Sequence, residues 1–408
     1  MEAFSLPAVM VIAVLVMLLI LSAFSLRTLD FRSYSLYREG KQRRLDLRSA
    51  TALYMCDSTL LAGRDSVRVS LYGEGEDSIS IVRHRWGFYE AVTVRHGADD
   101  PFGKTYLMGR EAECSRRAAL WLCDHNRPLS LAGRTSLKGT VYVPLNGINY
   151  IDIDGKPFGG RPVPQEMLRV SRRQLPRMSD AVWAYLDSLK GLRDRSVDWR
   201  NVPGGGAYRS FGEPAVLAHC DMPAEVELHL AGNVVLFGDR IVLSGRSEVR
   251  DILIIARSVI VGEGFRGSAQ IICADSVRVR PGARLEYPSG IFIDSSGDRA
   301  PGVVVGRGSS ICGYVGIIMG EKYHYYLENP CFTLGSRSSV RGLLYIDGSC
   351  NLAGDVTGAA YIGDCFYRGK DSFYAGTLND VTVARDDSLA FPLMLDGPYR
   401  RKIMKNLY

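Results

Sequence analysis

From Leu6 to Leu26 the chain carries no charge: Val, Leu, Ile, Met and Ala dominate, and Pro7, Ser22 and Ser25 are the only interruptions of aliphatic or aromatic character. An α-helix over that stretch is about 31 Å long, enough to cross the ~30 Å hydrocarbon core of a bilayer. With no polar face, the run differs from a half-buried core helix and predicts a membrane helix, with Val9, Ile12, Val16, Leu19 and Leu21 as anchor residues. Cleavage as a secretory signal is the rival reading, because Ala23-Phe24-Ser25 has the small-x-small form of a cleavage site. Only Glu2 and the amino group carry charge before the run, which lacks a basic n-region and exceeds a usual h-region, so retention is favoured.

The pattern then changes without breaking. Between Arg27 and Met55 there is no proline and one glycine, Gly40. Leu26, Leu29, Tyr37, Leu45, Ala50, Leu53 and Tyr54 form a rough helical stripe beside Arg27, Arg32, Arg38, Lys41, Arg43, Arg44 and Arg48. One continuous helix is expected, apolar in its first half and amphipathic in its second. Residues 59–125 switch to period-two alternation in Ser66–Tyr72, Ser78–Arg83 and Tyr89–Arg95, a small β-rich region.

From about Asn126 short β runs alternate with glycine or polar turns, and past Asn233 they repeat. Asn233–Gly245, Ile252–Gly264 and Ala269–Gly282 each read as an apolar run, a polar pair (Asp239-Arg240, Arg257-Ser258, Asp275-Ser276), an alternating run, then glycine. Their starts lie about 17 to 19 residues apart, near the lower end of solenoid repeats. Alternation puts Val, Ile and Leu on one face of each strand, and only stacking of successive turns buries that face. A β-sandwich is the alternative fold. The fold class expected is mainly β, a long N-terminal transmembrane α-helix followed by a right-handed parallel β-helix. Its divisions are 1–58 (helix), 59–125 (β-rich), 126–160 (first β-helix turns), 161–214 (insertion), 215–385 (β-helix) and 386–408 (a basic, solvated tail). The insertion holds Pro162, Pro164, Pro176 and a helix from Ser179 to Leu192 with Val182, Trp183, Leu186 and Leu189 on one face, placed to cap the solenoid or cover a side strip.

Composition narrows function mainly by exclusion. The net charge of +6 and pI near 8.8 are modest, and the excess sits beside the membrane helix, where it can meet anionic headgroups. No clustered basic face with interleaved aromatics is present, so no nucleic-acid partner is expected. The 9 cysteines are widely and irregularly spaced and form neither a small-domain disulfide framework nor a zinc set; Cys114 and Cys123 are the one pairing worth testing.

The first 55 or so residues resemble the long first helix of type IV pilin-like proteins, and Met1 to Leu6 is similar to the remnant of a pilin leader. Ala8 stands where the pilin glutamate would be. The repeats, together with Gly342-Leu-Leu-Tyr-Ile-Asp-Gly and Gly358-Ala-Ala-Tyr-Ile-Gly, resemble bactofilin-type polymer-forming β-helices and the β-helical regions joined to minor-pilin-like proteins. The joint plan is similar to envelope proteins of Bacteroidetes-type bacteria. That resemblance implies a structural or assembly role with the bulk extracytoplasmic. Membrane lipid would be the partner, with pilin-like or other envelope proteins, or further copies, as additional ones.

Sites of chemistry are few. The histidines are scattered, and His84 and His96 sit among Arg83, Arg85 and Arg95, which repel cations, so no metal or cofactor is expected. No GxSxG or HExxH motif occurs, and Gly204-Gly205-Gly206 lacks a Walker lysine. Asp152 and Asp154 read as a turn before Gly155. Asp347, Asp355 and Asp364 recur near turns and would serve a carbohydrate-active enzyme only if one groove collected them. Tyr323, Tyr325, Tyr326, Phe366 and Tyr367 are the candidate partner surface, exposed aromatics able to grip a ligand or to cap the solenoid. No catalytic residue is assigned, and the chain is not expected to be an enzyme.

Overall fold

The structure, a computed structural model, describes residues 5–57, 59–61, 64–73, 78–97, 100, 102–111, 117–202, 208–220, 225–294, 300–319, 330–369 and 372–407. It is mainly β with one long apolar helix at its N-terminal end. Two compact units divide the chain: Met1–Val82 with Val94–Lys104, and Arg83–Thr93 with Thr105–Tyr408.

In the first unit a single helix, α1, runs from Ser5 to Cys56 without a break. Strands Ser66–Ser70 and the start of Ser78–Trp86 form an antiparallel hairpin, Ser66 opposite Val82 and Ser70 opposite Ser78. The expected amphipathic stripe is only half realised. Leu26, Leu29, Tyr37 and Leu45 are exposed, and the helix first loses solvent at Gly40, then at Asp46, Leu47, Ala50 and Tyr54. The reason is steric and polar: at Gly40 an added Cβ would stand 3.4 Å from the Phe102 ring, over which the Arg44 guanidinium sits at 5.8 Å. Six residues on, Asp46 accepts hydrogen bonds from Gln42 Nε2 (2.8 Å) and Tyr72 Oη (3.0 Å) and lies 3.9 Å from His96 Nε2.

The second unit is organised by parallel pairing. One inward ladder runs Ala218, Leu236, Ile254, Ile271, Ile291, Val315, Leu344 and Ala360, each opposite the next on a neighbouring strand. All eight are buried in one core, and the strands join into a sheet that closes on itself. Beyond Ala360 the ladder continues not to later residues but to Leu120, then Val141, then Leu168. The 126–160 stretch is therefore β as expected, but it stacks on the last rungs rather than preceding the first. At the opposite end Val197 pairs with Ala218.

In this order the chain between Val170 and Val197 returns from one end of the ladder to the other. Helix α2, Asp180–Lys190, lies on that return. Its Val182, Leu186 and Leu189 are buried in a second, lateral core with Leu253, Ile272, Phe292, Tyr314 and Tyr345. The insertion thus covers a side strip, and Ser179 marks the helix start without a side-chain cap. The turn of Trp86–Tyr89 docks on the same strip through Gln270. That buried amide accepts from Phe88 N (2.9 Å) and Tyr314 Oη (3.1 Å) and donates to the Trp86 carbonyl (2.9 Å).

The Gly-x-x-Tyr-Ile cadence has a packing cause. Gly313, Gly342 and Gly358 stand in register with φ of 142°, 140° and 132°, and a Cβ on each would fall within about 2 Å of the carbonyl one rung below. The tyrosines that follow, Tyr345 and Tyr361, turn to the lateral core, and Ile346 and Ile362 to the inner one. The tail corrects the expectation of a solvated end. Arg401–Asn406 pairs antiparallel with Lys104–Arg110, Leu407 is buried, and Lys405 Nζ meets Asp251 Oδ2 at 2.6 Å. In that strand Arg401 is buried and Ile403 exposed, so backbone pairing and not apolar alternation holds it.

Candidate functional site: an exposed apolar helix and a polar cleft

The long apolar helix is the feature the sequence signalled most directly, and it is long and apolar enough to cross a membrane. Val9, Ile12, Val16, Leu19 and Leu21 are all more than 45% exposed, as are the residues between them apart from small ones. Among the described residues, none buries any of the apolar window of this helix. A contiguous apolar cylinder of this size is not stable in water and requires lipid or protein around it.

The aromatic surface fares differently. Phe366 is 2% exposed and packs on Phe373 with ring centroids 4.8 Å apart, so it does not belong to an exposed patch. The cause is local: Asp355–Arg368 turns back antiparallel against Phe373–Ala375, closing Phe366 beneath the hairpin. Tyr367 is half-buried opposite Tyr374. Tyr323, Tyr325 and Tyr326 lie outside the described residues, as do Cys114 and Gly204–Gly206. Cys123 carries a free thiol and is not joined to Cys114.

One cleft of about 450 Å³ opens where the returning segment crosses the late rungs. Arg173, Gln174, Leu175 and Arg177 line it from the return; Tyr345, Asp347, Gly348, Ser349, Gly363 and Asp364 from two adjacent strands; Cys123, His125 and Met319 complete it. The register slips between Ile346 and Ser349, and that irregularity makes the notch. Asp347 and Asp364 therefore share a cleft, whereas Asp355 accepts from Thr382 N (3.0 Å) elsewhere. The three turn aspartates do not converge.

Charge in the cleft is largely satisfied. Asp364 is ion-paired with Arg127, and His125 Nε2 contacts the Gly363 carbonyl oxygen at 3.0 Å. Burial, reinforced by the carboxylates of Asp347 and Asp364, pushes the Cys123 thiol up to about 12, the opposite of an activated nucleophile. Burial, with Asp347 and Cys123 beside it, raises Tyr345 as well, and its hydroxyl donates to the Pro176 carbonyl (3.0 Å). A second cluster, found by neither motif nor spacing, brings Ser196 Oγ within 3.0 Å of His219 Nδ1 beside Asp198. There the serine donates to the Arg193 carbonyl (2.6 Å) and Arg200 holds Asp198 in two side-chain bonds, so no base–orienter relay is assembled. Asp154, with φ of 52°, sits in the Ile153–Lys156 turn. Among the described residues no group of three or more His, Cys, Asp or Glu could hold a metal ion. Comparison with protein-family models, with curated proteins and with solved structures finds no match.

Proposed function

We propose that this chain is a single-pass, membrane-anchored structural or assembly component of the bacterial cell envelope, pilin-like in plan, whose body lies outside the cytoplasm. The observation that carries the reading is the fully uncovered apolar run of α1, continuous with a helix whose far end is built into folded structure. The body is read as a right-handed β-helix. Support comes from the unbroken parallel ladder, whose steps within Leu236–Ala360 fall between 16 and 29 residues, and from the in-register glycines. Such a stack is rigid because each strand is hydrogen-bonded on both sides, which suits a spacer or a presenting surface better than a site that must close on substrate.

The test is labelling of Cys56, a native exposed thiol at the C-terminal end of α1, with a membrane-impermeant maleimide. Labelling with the inner membrane intact, and retention in the membrane after an alkaline wash that the Val16→Asp variant does not survive, is the expected result. Labelling only after inner-membrane disruption would place the body in the cytoplasm. The basic flank Arg27–Arg48 favours that second arrangement, a scaffold beneath the membrane.

A further inference from the structure

We propose that the helix segment from Arg27 to Arg38 is a seat for anionic phospholipid headgroups, not a surface for packing against further copies of the chain; this rests on the membrane-anchor reading. The sequence gives this segment an amphipathic stripe, yet among the described residues nothing buries it. Phe31, Tyr34 and Tyr37 are 74%, 65% and 63% exposed, and the first buried helix position is Gly40. Among the described residues, Arg27, Arg32 and Arg38 are exposed and take part in no ion pair. Asp46, which would offset them, is turned inward and held by Gln42 and Tyr72.

Position and chemistry agree. If Leu26 marks the edge of the hydrocarbon core, Arg27, Phe31, Arg32 and Tyr34 fall within about 12 Å beyond it along the helix. That is the headgroup layer and its margin, where aromatic rings are enriched and guanidinium forks pair with phosphate. Arg38, about 18 Å out, acts through the surface potential over roughly a Debye length. A helix–helix interface would instead bury these guanidiniums beside identical ones, with Asp30 and Glu39 as the only exposed acids in reach.

The experiment uses the full chain, equilibrated in mild detergent with equal amounts of phosphatidylcholine and phosphatidylglycerol, and measures the lipid that co-purifies. Each basic residue near the surface contributes ~1 kcal/mol, or roughly a fivefold preference. Wild type should enrich phosphatidylglycerol severalfold, and Arg27→Gln/Arg32→Gln/Arg38→Gln should bring the ratio back to the input. Equal lipid ratios in both proteins would overturn the proposal. A photo-crosslinking amino acid in place of Tyr34 gives an independent readout in membranes: lipid adducts support it, and chain-to-chain adducts overturn it. Loss of wild-type protein from alkaline-washed membranes would instead overturn the anchor on which it stands.

Discussion

Gln270 is the residue whose replacement tests the packing argument most sharply. It occupies a rung position where neighbouring strands carry Leu253 and Gly290, and it is buried to 2% exposure because its amide holds the Trp86–Tyr89 turn. Gln270→Met keeps length and volume but removes three hydrogen bonds, to Phe88 N, the Trp86 carbonyl and Tyr314 Oη. Each is worth ~1 kcal/mol net, and leaving buried backbone groups unpaired adds to that, so local opening of the turn should become easier by about 3 kcal/mol or more. That converts to roughly a 100-fold rise in exchange at the Phe88 amide. Hydrogen exchange read by mass spectrometry on peptides covering 84–92 measures it, with peptides covering 343–362 as the internal control. The reasoning fails if exchange at Phe88 is unchanged, or if both regions accelerate equally, which would mean the amide supports the whole stack and not the turn.

Gly342→Ala would place a Cβ 1.9 Å from the Gly313 carbonyl at a φ of 140°, and should cost about 3 kcal/mol. Gly147→Ala, with φ of 73° and open space around it, should cost only about 1 kcal/mol; similar unfolding midpoints for the two would contradict the glycine-ladder account. His84 stacks on Phe211 with its Nε2 unpartnered, and burial lowers its pKa below 6.5. The unfolded chain therefore takes up the proton first, so this contribution is complete above the unfolded pKa of 6.5 and is lost as pH falls toward the folded value. A denaturation series between about pH 5 and 8 should show that loss, and His84→Phe should flatten it. In thiol labelling near pH 8 Cys56 should react readily while Cys123, held protonated up to about 12, stays unmodified until the protein unfolds; equal rates would refute the buried-thiol assignment.

The long apolar helix, the β class and the repeat frame were legible because each is written in local periodicity. An uncharged run of bilayer length admits few other readings, and the alternation in Ile252–Val261 or Ala269–Val279 already assigns an inward face. The α2 face was legible for the same reason, since Val182, Leu186 and Leu189 recur at helical spacing. What escaped was set by strand pairing, not by local periodicity. Phe366 reads as an exposed loop aromatic until the Phe373–Ala375 strand folds over it, and Asp355 reads like Asp347 and Asp364 until pairing sets it opposite Ser339, at the other end of the strand from Asp364. The cleft has no sequence signature, because its walls come from segments more than 150 residues apart.

The sequence by itself therefore determined which segments are helix and strand and which helix is long and apolar enough to cross a membrane, since those follow from the spacing of apolar residues along one stretch of chain. Only the tertiary structure decided the order of stacking. Leu120 follows Ala360 in the ladder, and the return past α2 follows from that, because hydrogen-bonded edges accept any strand of matching register whatever its place in the chain. It also decided where α1 stops being covered. Burial beyond Gly40 depends on Phe102 and Tyr72, residues that no helical periodicity could place against it.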